Sequence, residues 1–215
     1  MKISYAITVK DEFIQIQNLI NHILKLKRHN DEIVILFDQK NGSTELLSYL
    51  LKFNKLPNVQ TWRGFDFNGH FADWKNQLSE YCSGDYIFQI DADEIPNTNL
   101  INSLPSIIEM NPENEVFLVP RVNTVSGLTE EHIKKWGWNV SEKGWVNWPD
   151  AQKRIYKNTP EIQWSGHQIH GMVEGYKTFA TLPLPGIQPA LMDEHGQEII
   201  GNQVEGQLTI KFPWP

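Results

Sequence analysis

One cysteine in 215 residues leaves Cys82 no partner within the chain, so a disulfide scaffold is excluded and a reducing compartment fits. Its place on an apolar helix face makes Cys82 a small buried residue rather than a catalytic thiol. Long apolar runs are also missing. The first, Ile3–Val9, stops at Lys10 and Asp11, too short for a signal h-region or a membrane span, and no other segment is long enough to cross a bilayer. A cytoplasmic protein without a transmembrane segment is therefore expected. Basic residues are in deficit, 19 Lys and Arg against 26 Asp and Glu for a net charge of −7, which argues against a grip on nucleic acid phosphates. There is no internal repeat and no low-complexity tract. What remains is ordinary globular composition, 40% hydrophobic and 21% charged, with an unusual eight Trp. That excess suggests surfaces that stack against flat rings.

Ile3–Val9 reads as a strand, and Phe13, Ile16, Ile20, Ile23 and Leu24 then recur at helical spacing. Ile33–Phe37 is a second, buried-type strand. The turn Asn41-Gly42 and the N-cap candidate Ser43 open a helix carrying Leu46, Leu47, Leu50 and Leu51. A weaker strand follows at Asn58–Trp62, then a helix through Phe71, Trp74, Leu78 and Tyr81, stopped by Ser83-Gly84. Tyr86–Ile90 is a strand leading directly into Asp91-Ala92-Asp93-Glu94, followed by a helix after Pro96 and the strand Val116–Val119. Such alternation predicts an α/β fold with a mostly parallel sheet covered on both faces, its ligands beyond the carboxyl ends of the strands. From Arg121 to Tyr176 the pattern loosens around Trp136, Trp138, Trp145, Trp148 and Trp164, and reads as a site-forming region rather than core.

Asp91 and Asp93 stand two apart at a strand exit, so if the extended conformation persists both carboxylates project from one side. Two hard oxygen ligands would then hold Mg²⁺ or Mn²⁺ against the diphosphate of a nucleotide. An Asp-x-Asp pair alone is a weak signal; its position after the fourth strand of an alternating fold strengthens it.

The segment Asp85-Tyr86-Ile87-Phe88-Gln89-Ile90-Asp91-Ala92-Asp93-Glu94-Ile95-Pro96 resembles the D-x-D segment of glycosyltransferase family 2. The resemblance extends over residues 1–183 and includes Lys75-Asn76, Trp148 to Arg154, and Trp164 to Tyr176. It implies a GT-A fold, Rossmann-like, with a nucleotide-binding half at 1–120 and an acceptor and catalytic half at 121–183. It also implies a nucleotide-diphospho-sugar donor, a divalent metal, inversion at the anomeric carbon, and transfer to a glycan, lipid or protein acceptor. By this resemblance Asp11, Glu12 and Asp38 contact the base and ribose of the donor. The alternatives are favourable charge at a helix amino terminus for Asp11 and Glu12, and a turn role for Asp38. Asn76 would hydrogen-bond the donor or sit exposed on its helix, while Arg154 would pair with phosphate and Trp148 stack on a sugar ring.

An inverting transfer needs a carboxylate to take the acceptor's proton. Asp150 is the first choice and Glu174 the second, with a Pro-Asp turn as the alternative for Asp150. Relatives often carry His-Glu where this chain has His170-Gly171, and His167 with His170 reads as a structural pair or a metal or diphosphate contact.

Residues 184–215, punctuated by Pro185, Gly186, Pro189, Gly196, Gly201 and Gly206, resemble an internal stretch of acetyl-CoA synthetase. This segment lacks the phosphate loop and acyl-transfer regions that ligase chemistry needs. A chimeric join near Thr181–Gly186 is expected, with short β-like runs such as Gln207–Phe212 beyond it. A binding-only remnant of a transferase is the main alternative function, and an adenylate-forming ligase a remote one.

Overall fold

A computed structural model describes residues 1–64, 67–166 and 171–182 and the backbone of 187–189. The first half builds as the periodicity dictates: β1 (Ile3–Val9), α1 (Phe13–Leu26), β2 (Glu32–Asp38), α2 (Thr44–Leu50), β3 (Val59–Gly64), α3 (Phe71–Glu80) and β4 (Tyr86–Asp91). Ser43 caps α2 as expected, its hydroxyl accepting from the Leu46 amide at 3.1 Å. After β4 come β5 (Glu94–Pro96), α4 (Thr98–Met110), β6 (Val116–Arg121), α5 (Glu130–Trp136), β7 (Asp150–Lys157), β8 (Gln163–Ser165), β9 (Met172–Glu174), β10 (Phe179–Thr181) and β11 (Ile187–Pro189).

Among the described residues the main sheet runs β3-β2-β1-β4-β7-β6-β11-β5, with β10 also on β6. β3, β2, β1 and β4 are mutually parallel. Chain order reverses at β1, since β2 lies on one side and β4 on the other, and a ligand crevice opens at such a switch point beyond the carboxyl ends. There Thr8 pairs with Asp91, so the segment after β1 and the segment after β4 are neighbours.

Side-chain alternation sorts the two faces. Ile3, Tyr5 and Ile7 of β1 and Tyr86, Phe88 and Ile90 of β4 pack under α1, α2 and α4. Ala6 and Ile87 face the other way, toward Ala72, Trp74 and Leu78 of α3. By the same period Gln89 and Asp91 belong to the α3 side, which decides the contacts Asp91 makes.

Three expectations need correction. Extended backbone does not persist beyond Asp91: Ala92 and Asp93 form a turn, so the two aspartates are not successive same-side residues of one strand. The stretch Arg121 to Tyr176 is not all loop, because β7 lies inside the sheet, antiparallel to both β4 and β6, with Ile155 and Tyr156 fully buried. Trp164 is likewise core, packed with Trp74 and Tyr156. Charged and polar residues at alternate positions of β7 masked its strand signal. The expectations for His167, His170 and Gln207–Phe212 lie outside the described residues. No helix among the described residues is long and apolar enough to cross a membrane.

Candidate active site

Asp91 ends β4 on the α3 side, and two cations meet it there. Lys75, on the buried face of α3, places Nζ 3.0 Å from Asp91 Oδ1, while Arg154 Nη2 lies 2.7 Å from Oδ2. Arg154 reaches it because of an irregularity in β7: Phe117 pairs with Ile155 and Leu118 with Lys153, so Arg154 is the extra residue of a bulge. Bulges re-aim side chains in this way.

From Arg154 the charges continue to alternate. Its Nη2 also meets Glu94 Oε1 at 2.5 Å, and Arg121 Nη1 approaches the same oxygen at 3.2 Å. Arg121 then donates through Nε and Nη2 to Asp150 Oδ2 at 3.0 and 2.8 Å. Arg121 and Asp150 are direct register partners across β6 and β7, which sets that pair. Asn123 Nδ2 donates to the same Asp150 oxygen at 2.8 Å, and Gln152 donates to Oδ1. Lys75, Asp91, Arg154, Glu94, Arg121 and Asp150 thus form one ladder of three cations and three anions. The backbone closes it: the Asp91 amide donates to Glu94 Oε2 at 3.0 Å, across the Ala92-Asp93 turn.

Protonation follows from these contacts. Burial alone would raise the Asp91 carboxyl, but Arg154 and Lys75 hold it well below the usual carboxylate range. Burial pushes Lys75 down against the pull of Asp91. Burial also raises Glu94, with Arg154 opposing and Asp91 adding to the rise. At Asp150 the effect of burial is outweighed by hydrogen bonds from Asn123 and Arg121, which keep its carboxyl below the ordinary value.

Asp93 differs. It sits exposed on the turn, and partial desolvation followed by the charge of Asp91, with a smaller push from Glu12, raises its carboxyl. No group of three or more His, Cys, Asp or Glu poised for a metal occurs among the described residues. Asp93 is an exposed carboxylate at this edge, pushed up by Asp91 and Glu12 and pulled down by the charge of Arg154.

The remaining expected residues are placed as follows. Glu12 turns its carboxylate back on the end of β1, accepting from the Lys10 and Asp11 amides at 2.9 and 3.1 Å, while Asp11 stays exposed. Asp38 is buried and fills the turn role, accepting from the amides of Lys40 and Asn41 at 3.0 and 3.1 Å and from Asn41 Nδ2 at 2.7 Å. Asn76 is a brace: its amide donates to the Trp164 carbonyl and accepts from the Trp164 amide, both at 2.8 Å. Trp164 in turn sits beneath Lys75, whose Nζ is 4.3 Å from the ring centroid. Glu174 is exposed on the separate β8–β9 pair and takes no part in the ladder.

Lys75, Glu94, Arg121, Asn123 and Gln152 carried no assigned role in the sequence. One signal was available for Lys75, which falls between Ala72 and Leu78 at three-residue steps on a buried helix face. Arg121 and Asn123 had none, because their role depends on β6 lying beside β7.

Comparison with known proteins agrees with this architecture. The solved structure of residues 1–349 of S. aureus TarS superposes with a TM-score of 0.58 at 15% identity, covering 84% of this chain and 60% of that one. The same protein in complex with UDP-GlcNAc gives 0.57, covering 84% and 58%. The chain thus spans less than two thirds of these structures, and the likeness is one of fold. Separately, 37 residues, 17% of the chain, are 57% identical to acetyl-coenzyme A synthetases of Penicillium chrysogenum and Emericella nidulans, covering only 6% of either. The sequence model described as glycosyl transferase family 2 matches residues 4–179, most of the chain and nearly all of the sheet, and the protein belongs to that family.

Proposed function

We propose that the protein transfers a sugar from a nucleotide-diphospho-sugar to an acceptor hydroxyl, with inversion at the anomeric carbon. The observation that carries this reading is the charge ladder at the switch-point crevice, which joins the turn at Asp93 to the carboxylate of Asp150. Family membership and a neighbour solved with UDP-GlcNAc support the class of donor.

Asp11, exposed after β1 at the carboxyl edge, faces the nucleotide side, while Glu12 and Asp38 act from behind it by fixing the backbone at the ends of β1 and β2. Lys75 and Arg154 each contact one Asp91 oxygen, and Asp91 works through these two cations rather than as the metal's main ligand. Its role is to fix the turn and, with Arg154, to set the potential facing the diphosphate. Asp93 is the carboxylate left open for Mn²⁺ or Mg²⁺, which when bound would neutralise charge developing on the leaving diphosphate. Asp150 serves as base. Arg121, Asn123 and Gln152 hold it ionised and oriented, and among the described residues Oδ1 accepts a hydrogen bond from Gln152 alone. The acceptor oxygen forms a bond to the anomeric carbon as the carbon–oxygen bond to diphosphate breaks. The electron pair leaves with the diphosphate and the acceptor proton passes to Asp150. A carboxylate held below its ordinary pKa is a weak base, so the proton moves late, once the attacking oxygen has become acidic.

A panel of UDP- and GDP-sugars with Mn²⁺, read by nucleoside diphosphate release, tests the reading. Release with at least one donor, lost in Asp91→Asn, is expected. Donor binding without release would identify a binding-only remnant, and neither binding nor release would overturn the assignment.

A further inference from the structure

Both carboxylates of the ladder grip Arg154 at one nitrogen. The contacts to Asp91 Oδ2 at 2.7 Å and Glu94 Oε1 at 2.5 Å run through Nη2, while Nε is buried with no hydrogen-bond partner among the described residues. A planar guanidinium held through a single nitrogen can turn about that contact, so its plane needs a second restraint.

Gln89 has the complementary deficit. It is wholly buried, its Nε2 has a long contact of 3.5 Å to the Ile90 carbonyl, and its Oε1 has no partner among the described residues. Ile87, Phe88 and Ile90 around it are apolar, which makes the amide the exception inside this strand. A buried donor and a buried acceptor left unpaired are each costly, and folded proteins hold few of either.

The sheet register brings these two groups together. β4 and β7 are antiparallel, with Tyr86 against Lys157, Ile87 against Tyr156 and Phe88 against Ile155, so the next step sets Gln89 opposite Arg154. Alternation puts Gln89 on the α3 side with Ile87 and Asp91, the side on which Lys75 and Arg154 meet Asp91. Its neighbour on β1 is Ala6, whose single methyl group leaves room beside the amide. Because Arg154 is the extra residue of a bulge, the two side chains do not sit at the spacing of a regular pair, and Nε and Oε1 stay beyond direct hydrogen-bond distance. One water molecule suits such a polar gap, since it accepts from an N–H and donates to a carbonyl oxygen at once.

We propose that Gln89 is a positioning residue of the site: a buried water accepts from Arg154 Nε and donates to Gln89 Oε1, and this bridge fixes the plane of the guanidinium that Asp91 and Glu94 share. With that plane fixed, Arg154 holds Asp91 at the strand exit and, through it, the turn that carries Asp93. The role in catalysis rests on the transferase reading above, whereas the bridge itself does not.

The chain contains four Arg, so the Nε–H signals of the full protein carrying 15N-labelled arginine are few enough to assign. Wild type is expected to show an Arg154 Nε–H with a rotating-frame Overhauser cross-peak to bound water. Gln89→Met, close in shape but without the acceptor, should remove the cross-peak, and Gln89→Glu, which keeps an acceptor, should retain it. In nucleoside diphosphate release, Gln89→Met is expected to lower kcat about tenfold at unchanged donor KM, at a temperature where circular dichroism shows it folded. Absence of the cross-peak in wild type, its persistence in Gln89→Met, or wild-type kcat in folded Gln89→Met would each overturn the proposal. The wild-type spectrum alone decides the bridge if Gln89→Met does not fold. A cross-peak that behaves as expected in a protein releasing no nucleoside diphosphate from any donor would leave the bridge standing and remove the transferase reading instead.

Discussion

Arg154→Met tests the ladder at its centre. Arg154 is almost wholly buried, at 3% exposure, and its Nη2 stands between Asp91 at 2.7 Å and Glu94 at 2.5 Å. Removing one partner of a buried ion pair costs about 3–5 kcal/mol, because the charge left behind is neither solvated nor paired. Here neither carboxylate is wholly orphaned: Asp91 keeps Lys75 at 3.0 Å and Glu94 keeps Arg121 at 3.2 Å. The loss therefore falls near the lower limit, about 3 kcal/mol. For a domain of this size that lowers Tm by about 6–12 °C. The deficit also depends on pH. In wild type Asp91 is depressed, so its stabilisation is present above the unfolded-state pKa and lost as pH falls through the folded value. In the variant Asp91 loses the larger of the two charges holding it down, and Glu94, already raised by burial in wild type, loses the charge that opposed that rise. The penalty is then full at high pH and shrinks as acid protonates them. Urea unfolding at pH 8 and pH 5 should show a larger deficit at pH 8, and Glu94→Gln added to Arg154→Met should recover part of it. A deficit below about 1 kcal/mol, or one identical at both pH values, would falsify the view that Arg154 stabilises two ionised carboxylates.

Asp150→Asn is expected to lower kcat by about 10²–10⁴ with little change in donor KM, and Glu174→Gln to do far less; the reverse ranking in a nucleoside diphosphate release assay would move the base to β9. Asp93→Ala should leave Tm unchanged, because the side chain is exposed, yet weaken Mn²⁺ binding in the presence of UDP as read by electron paramagnetic resonance; an unaltered Mn²⁺ affinity removes Asp93 as the cation's carboxylate. Glu32, whose carboxylate accepts from Lys2 Nζ at 2.7 Å, Ser4 Oγ at 2.6 Å and the Ser83 amide at 2.6 Å, ties the start of β2 to β1 and to the turn between α3 and β4. Burial raises its carboxyl but these hydrogen bonds bring it below the ordinary value, so Glu32→Gln should cost about 1–3 kcal/mol at pH 7, and the difference from wild type should fade as pH drops through the depressed pKa.

Sequence by itself determined the first half of the fold. Apolar periods of two and 3.6 are local properties, and they place β1 through β4 within about two residues of where the structure has them, while the short strand β5 was not foreseen. It also located Asp91 at the strand exit, and the family pattern brought Arg154 and Asp150 to notice. Only tertiary structure decided what those residues do. β7 could not be read as a sheet strand because Asp150, Gln152 and Arg154 interrupt its apolar alternation, and those residues are polar because the ladder needs them. The relation of Asp91 to Asp93 was misjudged for a similar reason. Alternation presumes continuing extension, whereas a turn at Ala92-Asp93, closed by Glu94 accepting from the Asp91 amide, sends one carboxylate inward and leaves the other outside. Which charge meets which is set by a bulge in β7 and by β6 lying beside it, and pairings between residues 27 to 63 positions apart have no local signature in the chain.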